Sequence, residues 1–174
     1  MKYHLLILLS LSHLCLWAQS WSIGGAAIYG DDIENAGIHL RGYYNLPNDK
    51  VCFGPEYSYF FKKSENVNGR EITKKLSEVN LNLHYIFEIA ESWGIYPLAG
   101  ANVSFESEEL ILAGEPQSEE LTRWGANLGI GLHRPIGNWV VFGEYDHLFS
   151  DLAQNSFLLG AFISFGKRSK HSEE

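Results

Sequence analysis

The sequence has few cysteines, few basic residues and, beyond its first 20 positions, no long hydrophobic run. Cys15 and Cys52 are its two cysteines. Because Cys15 lies in a segment expected to be removed, an exported product would have no intrachain disulfide. The 13 Lys and Arg residues face 21 Asp and Glu, a formal net charge of −8 that argues against nucleic acid as a partner. No later segment supplies the roughly 20 apolar residues of a membrane-spanning helix.

The N-terminus has the three parts of a secretory signal peptide. Lys2 is followed by an apolar run from Leu5 to Leu16 and then by small residues at Ala18 and Ser20. That run is too short to span a bilayer as a helix. We therefore predict a signal peptide over residues 1–20, cleaved after Ala18 or after Ser20. Cys15 is not preceded by the small residue of a lipoprotein signal, so lipidation is not expected.

Beyond this leader the chain shows eight segments of alternating polarity, separated by polar or turn-rich stretches. A period of two is that of a β-strand whose faces meet different surroundings. Abundant aromatic residues and 17 glycines, without a long helical pattern, also favour an all-β fold. The segments run from Trp21 to Tyr29, Ala36 to Tyr44, Val51 to Phe61, Lys75 to Phe87, Gly94 to Phe105, Thr122 to His133, Trp139 to Leu148 and Ser156 to Phe165.

One face of these segments is almost wholly apolar, and the other mixes glycine, amide and isolated charges. The outer face of a soluble barrel would be rich in Lys, Glu, Thr and Gln, so we assign the glycine-rich face to a narrow lumen and the apolar face to lipid. Aromatic residues on the apolar face fall near both ends of the segments, as at the two interfaces of a membrane. The first level comprises Trp21, Tyr44, Tyr85, Phe87, Trp139 and Phe165, and the second Tyr29, Tyr59, Phe61, Phe105, Trp124, Tyr145 and Phe157.

These patterns predict an all-β, eight-stranded, antiparallel, up-and-down transmembrane barrel over residues 21–166, with a short periplasmic tail over 167–174. Connections after the second, fourth and sixth segments are short, whereas residues 62–74 and 106–121 form longer, polar connections. Short periplasmic turns and long outer loops are typical of outer-membrane barrels. We therefore predict that loops 62–74 and 106–121 face the exterior and offer a site for a surface ligand.

The mature chain resembles the small eight-stranded OmpA/OmpX-like outer-membrane proteins of Gram-negative bacteria. The resemblance is closest in the stretch WGANLGIGLHRPIGNWVVFGEYDHLF, which begins at Trp124. The ending LLGAFISF is similar to the signal that barrel assembly machinery recognises, with Gly160, Ile163 and Phe165 as its key residues. The resemblance implies a place in the cell outer membrane, with lipid, lipopolysaccharide and the assembly machinery as partners.

The ionisable residues assigned to the lumen are interpreted as a polar core that supports the barrel. Arg41 and Glu56 lie at similar distances from the turn near Asn48, and Glu144 lies midway along the seventh segment. We predict that these three side chains form a network, with His39 or a shared proton balancing the extra carboxylate. A second possible cluster nearer the outer rim consists of Glu78, Arg123 and Asp146.

No catalytic or metal site is predicted, and no cofactor. The set nearest to a hydrolase triad is Glu144, His147 and Ser150, but Glu144 and His147 have opposite parity and so point to opposite faces. The inward histidines have no neighbouring ligand two residues away. The preferred function is a non-enzymatic envelope-structural or surface-interaction barrel. The alternatives are a narrow porin-like channel, a lipid A-modifying acyl hydrolase and a secreted lipocalin-like binder.

Overall fold

The computed structural model describes residues 20–47, 50–67, 70–112 and 115–166. The predicted signal peptide, apart from Ser20, and the predicted tail 167–174 lie outside the described residues. In the described part of the chain, no helix is long and apolar enough to cross a membrane. The strands are β1 (Ser20–Gly30), β2 (Asn35–Asn45), β3 (Val51–Val67), β4 (Arg70–Tyr85), β5 (Phe87–Ala90), β6 (Trp93–Leu112), β7 (Glu115–Ile136), β8 (Trp139–Phe149) and β9 (Gln154–Gly166).

The strands form one closed antiparallel barrel. Except for β4 and β5, consecutive strands pair with each other, and β9 pairs with β1 from Gly166 opposite Ser20 to Ser156 opposite Gly30. β4 and β5 occupy one position in the wall, because both pair with β6 and are separated only at Ile86. The nine strands therefore make an eight-stranded wall, which confirms the predicted fold class.

Alternate residues face the lumen and the outside, as the sequence pattern predicts. On β2, Arg41 is 3% exposed whereas its neighbour Leu40 is 56% exposed. Both predicted levels of aromatic residues point outward, from Trp21 at one end of β1 to Tyr29 at the other. A continuous apolar band between two aromatic girdles fits a barrel wall in contact with lipid.

The prediction of two outer loops at residues 62–74 and 106–121 is wrong, because most of these residues extend strands. β3 and β4 remain paired from Lys63 opposite Lys74 to Val67 opposite Arg70. β6 and β7 remain paired from Glu106 opposite Leu121 to Leu112 opposite Glu115. Beyond the membrane both faces of a sheet are in water, so strands there can carry polar residues on both faces. The backbone hydrogen bonds that pair the strands do not require an apolar face.

These extensions join into one four-stranded sheet, since β4 also pairs with β6 as far as Ile72 opposite Leu110. We call it the outer sheet. Its side chains form ion pairs, including Lys63 with Glu65 at 2.7 Å and Lys75 with Glu109 at 3.4 Å. The outer sheet comprises Lys63–Val67, Arg70–Leu76, Glu106–Leu112 and Glu115–Gly125.

A polar clamp joins the two remaining turns at the same end of the barrel. The Asp31 backbone N–H donates to the Asn155 carbonyl at 3.0 Å. In return, the backbone and side-chain N–H groups of Asn155 donate to the Asp31 carboxylate at 2.7 and 2.5 Å. The side-chain hydrogen bond from Asn155 lowers the pKa of Asp31 below its usual value of 3.8.

We expect this clamp to weaken in acid. A lowered pKa means that Asp31 contributes stability above the unfolded pKa near 3.8, and that this contribution is lost as the pH falls through the folded pKa. In Asp31→Asn the contribution is absent at every pH. The melting temperatures of the two proteins, compared at neutral pH and near pH 3, should therefore converge in acid. A constant difference between them would contradict the assignment.

Candidate functional site

A buried ion pair crosses the lumen at mid-height. Arg41 on β2 donates two hydrogen bonds to Glu144 on β8, at 2.8 and 3.1 Å. Both side chains are 1% exposed. The planar guanidinium also lies 4.1 Å from the centre of the Phe142 ring. Because β1 and β9 lie between β2 and β8 in the wall, this bidentate contact bridges two strands that are not neighbours.

Glu56 adds a second carboxylate that Arg41 does not fully engage. The two residues are cross-strand partners on β2 and β3, yet Arg41 Nη2 and Glu56 Oε1 are 3.8 Å apart. Asn82 instead donates to Glu56 Oε2 at 2.9 Å. Glu56 Oε1 accepts no hydrogen bond from any residue that the structure describes. The network thus contains one guanidinium and two carboxylates.

His39 does not supply the missing positive charge. Its Nε2 accepts a hydrogen bond from Arg41 Nε at 3.2 Å, and its Nδ1 lies 2.9 Å from Ser58 Oγ. Arginine can only donate, so the accepting nitrogen of His39 carries no proton and the ring is neutral. The other histidine beside Glu56 is His84, whose Nε2 lies 3.6 Å from Glu56 Oε1.

Tyr96, like Asn82, belongs to the network although the sequence did not predict it. Its hydroxyl donates to Glu144 Oε2 at 2.8 Å, and its ring stacks between His84 and His133, with centroids 4.9 and 5.6 Å away. Tyr96 pairs in register with Gly131 and lies across it. The sequence signal for Tyr96 is the glycine opposite it, Gly131, which leaves room for a large inward side chain. Recognising this signal requires the β6–β7 register.

Gly131→Ala should lower the free energy of unfolding by about 1–3 kcal/mol, because a Cβ there would overlap the Tyr96 ring and displace its hydroxyl from Glu144. Gly143→Ala is the matched control, since a Cβ at that position would come no closer than 4.0 Å to Leu158 O. Urea unfolding of both variants in the same lipid vesicles measures the difference. Equal stability of the two would show that Tyr96 is loosely held.

The predicted cluster of Glu78, Arg123 and Asp146 does not form, because each of these side chains has different surroundings. Arg123 donates to Glu106 at 3.2 Å, at the base of the outer sheet. Glu78 instead accepts a hydrogen bond from Gln154 at 3.2 Å. Asp146 Oδ1 is buried and accepts no hydrogen bond from any described residue. Arg123 lies opposite Ser104, one inward position below Glu106 on the neighbouring strand, which brings its guanidinium within reach of Glu106.

The lumen differs on the two sides of the Arg41 network. Toward the outer sheet it is filled by a mixture of side chains, in which an apolar cluster with the fully buried Phe60 lies beside buried polar residues such as Glu78 and Gln154. Toward the end that carries Ser20 and Ser164 it opens into a cavity of about 710 Å³. We call this cavity the vestibule. Arg41, Tyr43, Cys52, His84 and Tyr96 form part of its lining. The apolar cluster consists of Ile28, Ile33, Phe60, Leu76, Phe142 and Leu158.

The other predicted residues are placed as follows. Glu144 lies in the lumen, whereas His147 bonds Asn155 at 2.7 Å on the outer face, so the two belong to no common triad. Gly160 faces the lumen, while Ile163 and Phe165 lie on the outward face of β9. No group of three or more His, Cys, Asp or Glu within the described ranges is placed to hold a metal ion.

No protein-family model matches the chain, and no curated protein does either. Among solved structures, the barrel is similar to Ail, the attachment invasion locus protein of Yersinia pestis. The match has 22% identity and a TM-score of 0.59, and it covers 84% of this chain and 97% of that one. Ail has also been solved in complex with the heparin analogue sucrose octasulfate.

Two further structures extend this likeness. The N-terminal β-barrel domain of Pseudomonas aeruginosa OprF is 17% identical, with a TM-score of 0.59 over 84% of this chain and 98% of that one. A major outer membrane protein of Thermus thermophilus is 14% identical, with a TM-score of 0.66 over 84% and 99%. At these identities the likeness shows the fold, which is that of small outer-membrane barrels.

Proposed function

We propose that this chain is a closed, non-enzymatic barrel of the cell outer membrane that presents the outer sheet outside the cell as a binding surface. The apolar outward band, the two aromatic girdles and the fold of its structural neighbours support the location. Lipid and lipopolysaccharide would then surround the wall. The barrel assembly machinery would recognise Ile163 and Phe165, on the outward face of β9, during insertion.

The open edge of the outer sheet is the observation that carries the binding role. β7 pairs with β8 only from Ala126 onward, so residues 115–125 of β7 have a strand partner on the β6 side alone. Exposed strand edges invite pairing by another polypeptide, and proteins usually protect them. On the opposite edge, residues 62–67 of β3 also lack a partner on the β2 side, but the strand register shifts between Phe60 and Lys63 and the Asn35 side chain donates to Phe61 O, so the base of this edge is irregular. The edge of β7 is longer and has no register shift, which favours β7 as the place where an extended polypeptide would pair.

Orientation can be tested with single cysteines, because Cys52 is buried and should not react. We expect Ser118→Cys, at the open edge, to be labelled in intact cells by a maleimide that cannot cross membranes. Asn138→Cys, in the turn at the other end of the barrel, is the matched control and should be labelled only after permeabilisation. The reverse pattern would place the outer sheet in the periplasm.

Binding can be tested by shortening the β6–β7 hairpin. Cells that display the intact protein should adhere to an extended polypeptide such as immobilised gelatin, and removal of residues 108–119 should abolish adhesion. Heparin serves as the second surface, because an Ail complex holds a heparin analogue. Unchanged adhesion of the shortened variant to both surfaces would remove the outer sheet from the function. Heat-modified migration on gels checks that this variant still folds.

A narrow channel is the second candidate, and the vestibule is the observation in its favour. Its volume of about 710 Å³ admits small solutes to the middle of the barrel. Beyond it, however, the Arg41 network and the apolar cluster occupy the lumen. We therefore expect no steady conductance from the intact protein in planar bilayers. Reproducible single-channel steps would make the channel the better interpretation.

A further inference from the structure

A groove lies on the outward face of the barrel, at the level of the outer aromatic girdle. Its volume is about 310 Å³. Tyr59, Ser77 and Phe105 are successive cross-strand partners on β3, β4 and β6, so two rings flank one small residue. One outward position further from the lipid, Lys75 pairs in register with Ser107. We call this feature the girdle groove.

The girdle groove changes from apolar to polar along its length. Toward the middle of the bilayer, the next outward partners are Val79 and Val103. Toward the outer sheet, the lining carries the Lys75 ammonium and the Ser77 and Ser107 hydroxyls. Girdle rings lie at the depth of lipid headgroups, so these polar groups lie where lipid phosphates occur.

Lys75 is able to bind an additional anion. Its Nζ is 3.4 Å from Glu109, and the two side chains are 34% and 40% exposed. Ion pairs at such exposure contribute little, so a dianionic phosphate can compete with the carboxylate. Two glutamates also line the groove: Glu106 is paired with Arg123 at 3.2 Å, and Glu120 lies on the far side of Ser107. The phosphate end of a ligand therefore belongs beside Lys75.

We infer that the girdle groove binds the phosphorylated headgroup of an outer-leaflet lipid. Lys75 holds the phosphate, with the Ser77 and Ser107 hydroxyls as further donors, and an acyl chain runs between Tyr59 and Phe105. A free phosphate ion would use only the polar end, whereas a lipid uses both. The inference requires the membrane-spanning barrel but not the proposed docking strand, so either can fail without the other.

The test uses the whole protein in phosphatidylcholine nanodiscs that contain either lipid A or lipid A stripped of its phosphates. Native mass spectrometry counts the lipid A molecules that the protein retains. We expect the wild type to prefer the phosphorylated form, and Lys75→Gln to reduce its apparent affinity by about tenfold. Glu109→Gln should have the opposite effect, because it frees Lys75. Lys62→Gln, at an exposed lysine of the same end, is the matched control.

Three results would overturn the inference. The first is equal retention of the two forms of lipid A by the wild type. The second is a Lys75→Gln variant that matches Lys62→Gln. The third is complete displacement of lipid A by inorganic phosphate, which would make the groove a simple anion site. If Lys75→Gln fails to fold, the wild-type preference and the gain expected for Glu109→Gln still decide the question.

Discussion

Arg41→Ala should lower the free energy of unfolding by about 3–5 kcal/mol, because it leaves the carboxylates of Glu144 and Glu56 buried without a cation. Both carboxylates are at most 2% exposed, so without the guanidinium they are unpaired buried charges that only water from the vestibule could solvate. Adding Glu144→Gln should recover part of the loss, since the amide is neutral and can still accept the Tyr96 hydroxyl. Reversible urea unfolding in lipid vesicles measures each step.

Arg123→Ala is the matched control for this experiment. Its guanidinium is also paired with a glutamate at 3.2 Å, but the side chain is 27% exposed, so its removal should cost less than about 1 kcal/mol. If Arg41→Ala instead keeps the stability of the wild type and opens a conductance, Arg41 acts as a gate. The narrow channel would then replace the closed barrel as the proposed function.

The wall of the barrel could be predicted from the sequence because lipid and lumen impose opposite demands on alternate residues. In β4, Leu81 and Leu83 are exposed and Asn80 and Asn82 are buried, so parity alone assigns each face. The outer sheet could not be predicted in the same way. At Glu108 and Glu109 both faces of β6 meet water, so the alternation disappears although the pairing with β4 and β7 continues.

The cross-lumen partners were harder to predict than the faces. Parity and depth placed Arg41 and Glu144 inside at mid-height, and the structure brings them together. Distances across the lumen also depend on how far each inward side chain reaches. Tyr96 fills its place because Gly131 leaves room beside it, whereas Arg123 turns to Glu106 just above it. Such choices depend on register and side-chain length, which a pattern of polarity does not contain.

Leu81→Arg, in the middle of the membrane-facing band, should lower the free energy of unfolding by about 2–4 kcal/mol. Leu81 is 59% exposed on the outward face, midway between Tyr85 at one girdle and Ser77, the partner of Tyr59, at the other. An arginine there would have to reach past two outward positions in either direction before it met water. Leu83→Arg should cost less, because Leu83 lies next to the Tyr85 level.

Thr122→Arg is the control for depth. Thr122 is exposed and pairs with Phe105 at the outer girdle, so arginine at this position should cost about 0–1 kcal/mol. Unfolding of the three variants in vesicles of one lipid composition should therefore rank Leu81→Arg as the most destabilised, then Leu83→Arg, then Thr122→Arg. If Leu81→Arg is no more costly than Thr122→Arg, the outward face of β4 does not meet lipid. The barrel would then stand in water, and the secreted lipocalin-like binder would return as the better interpretation.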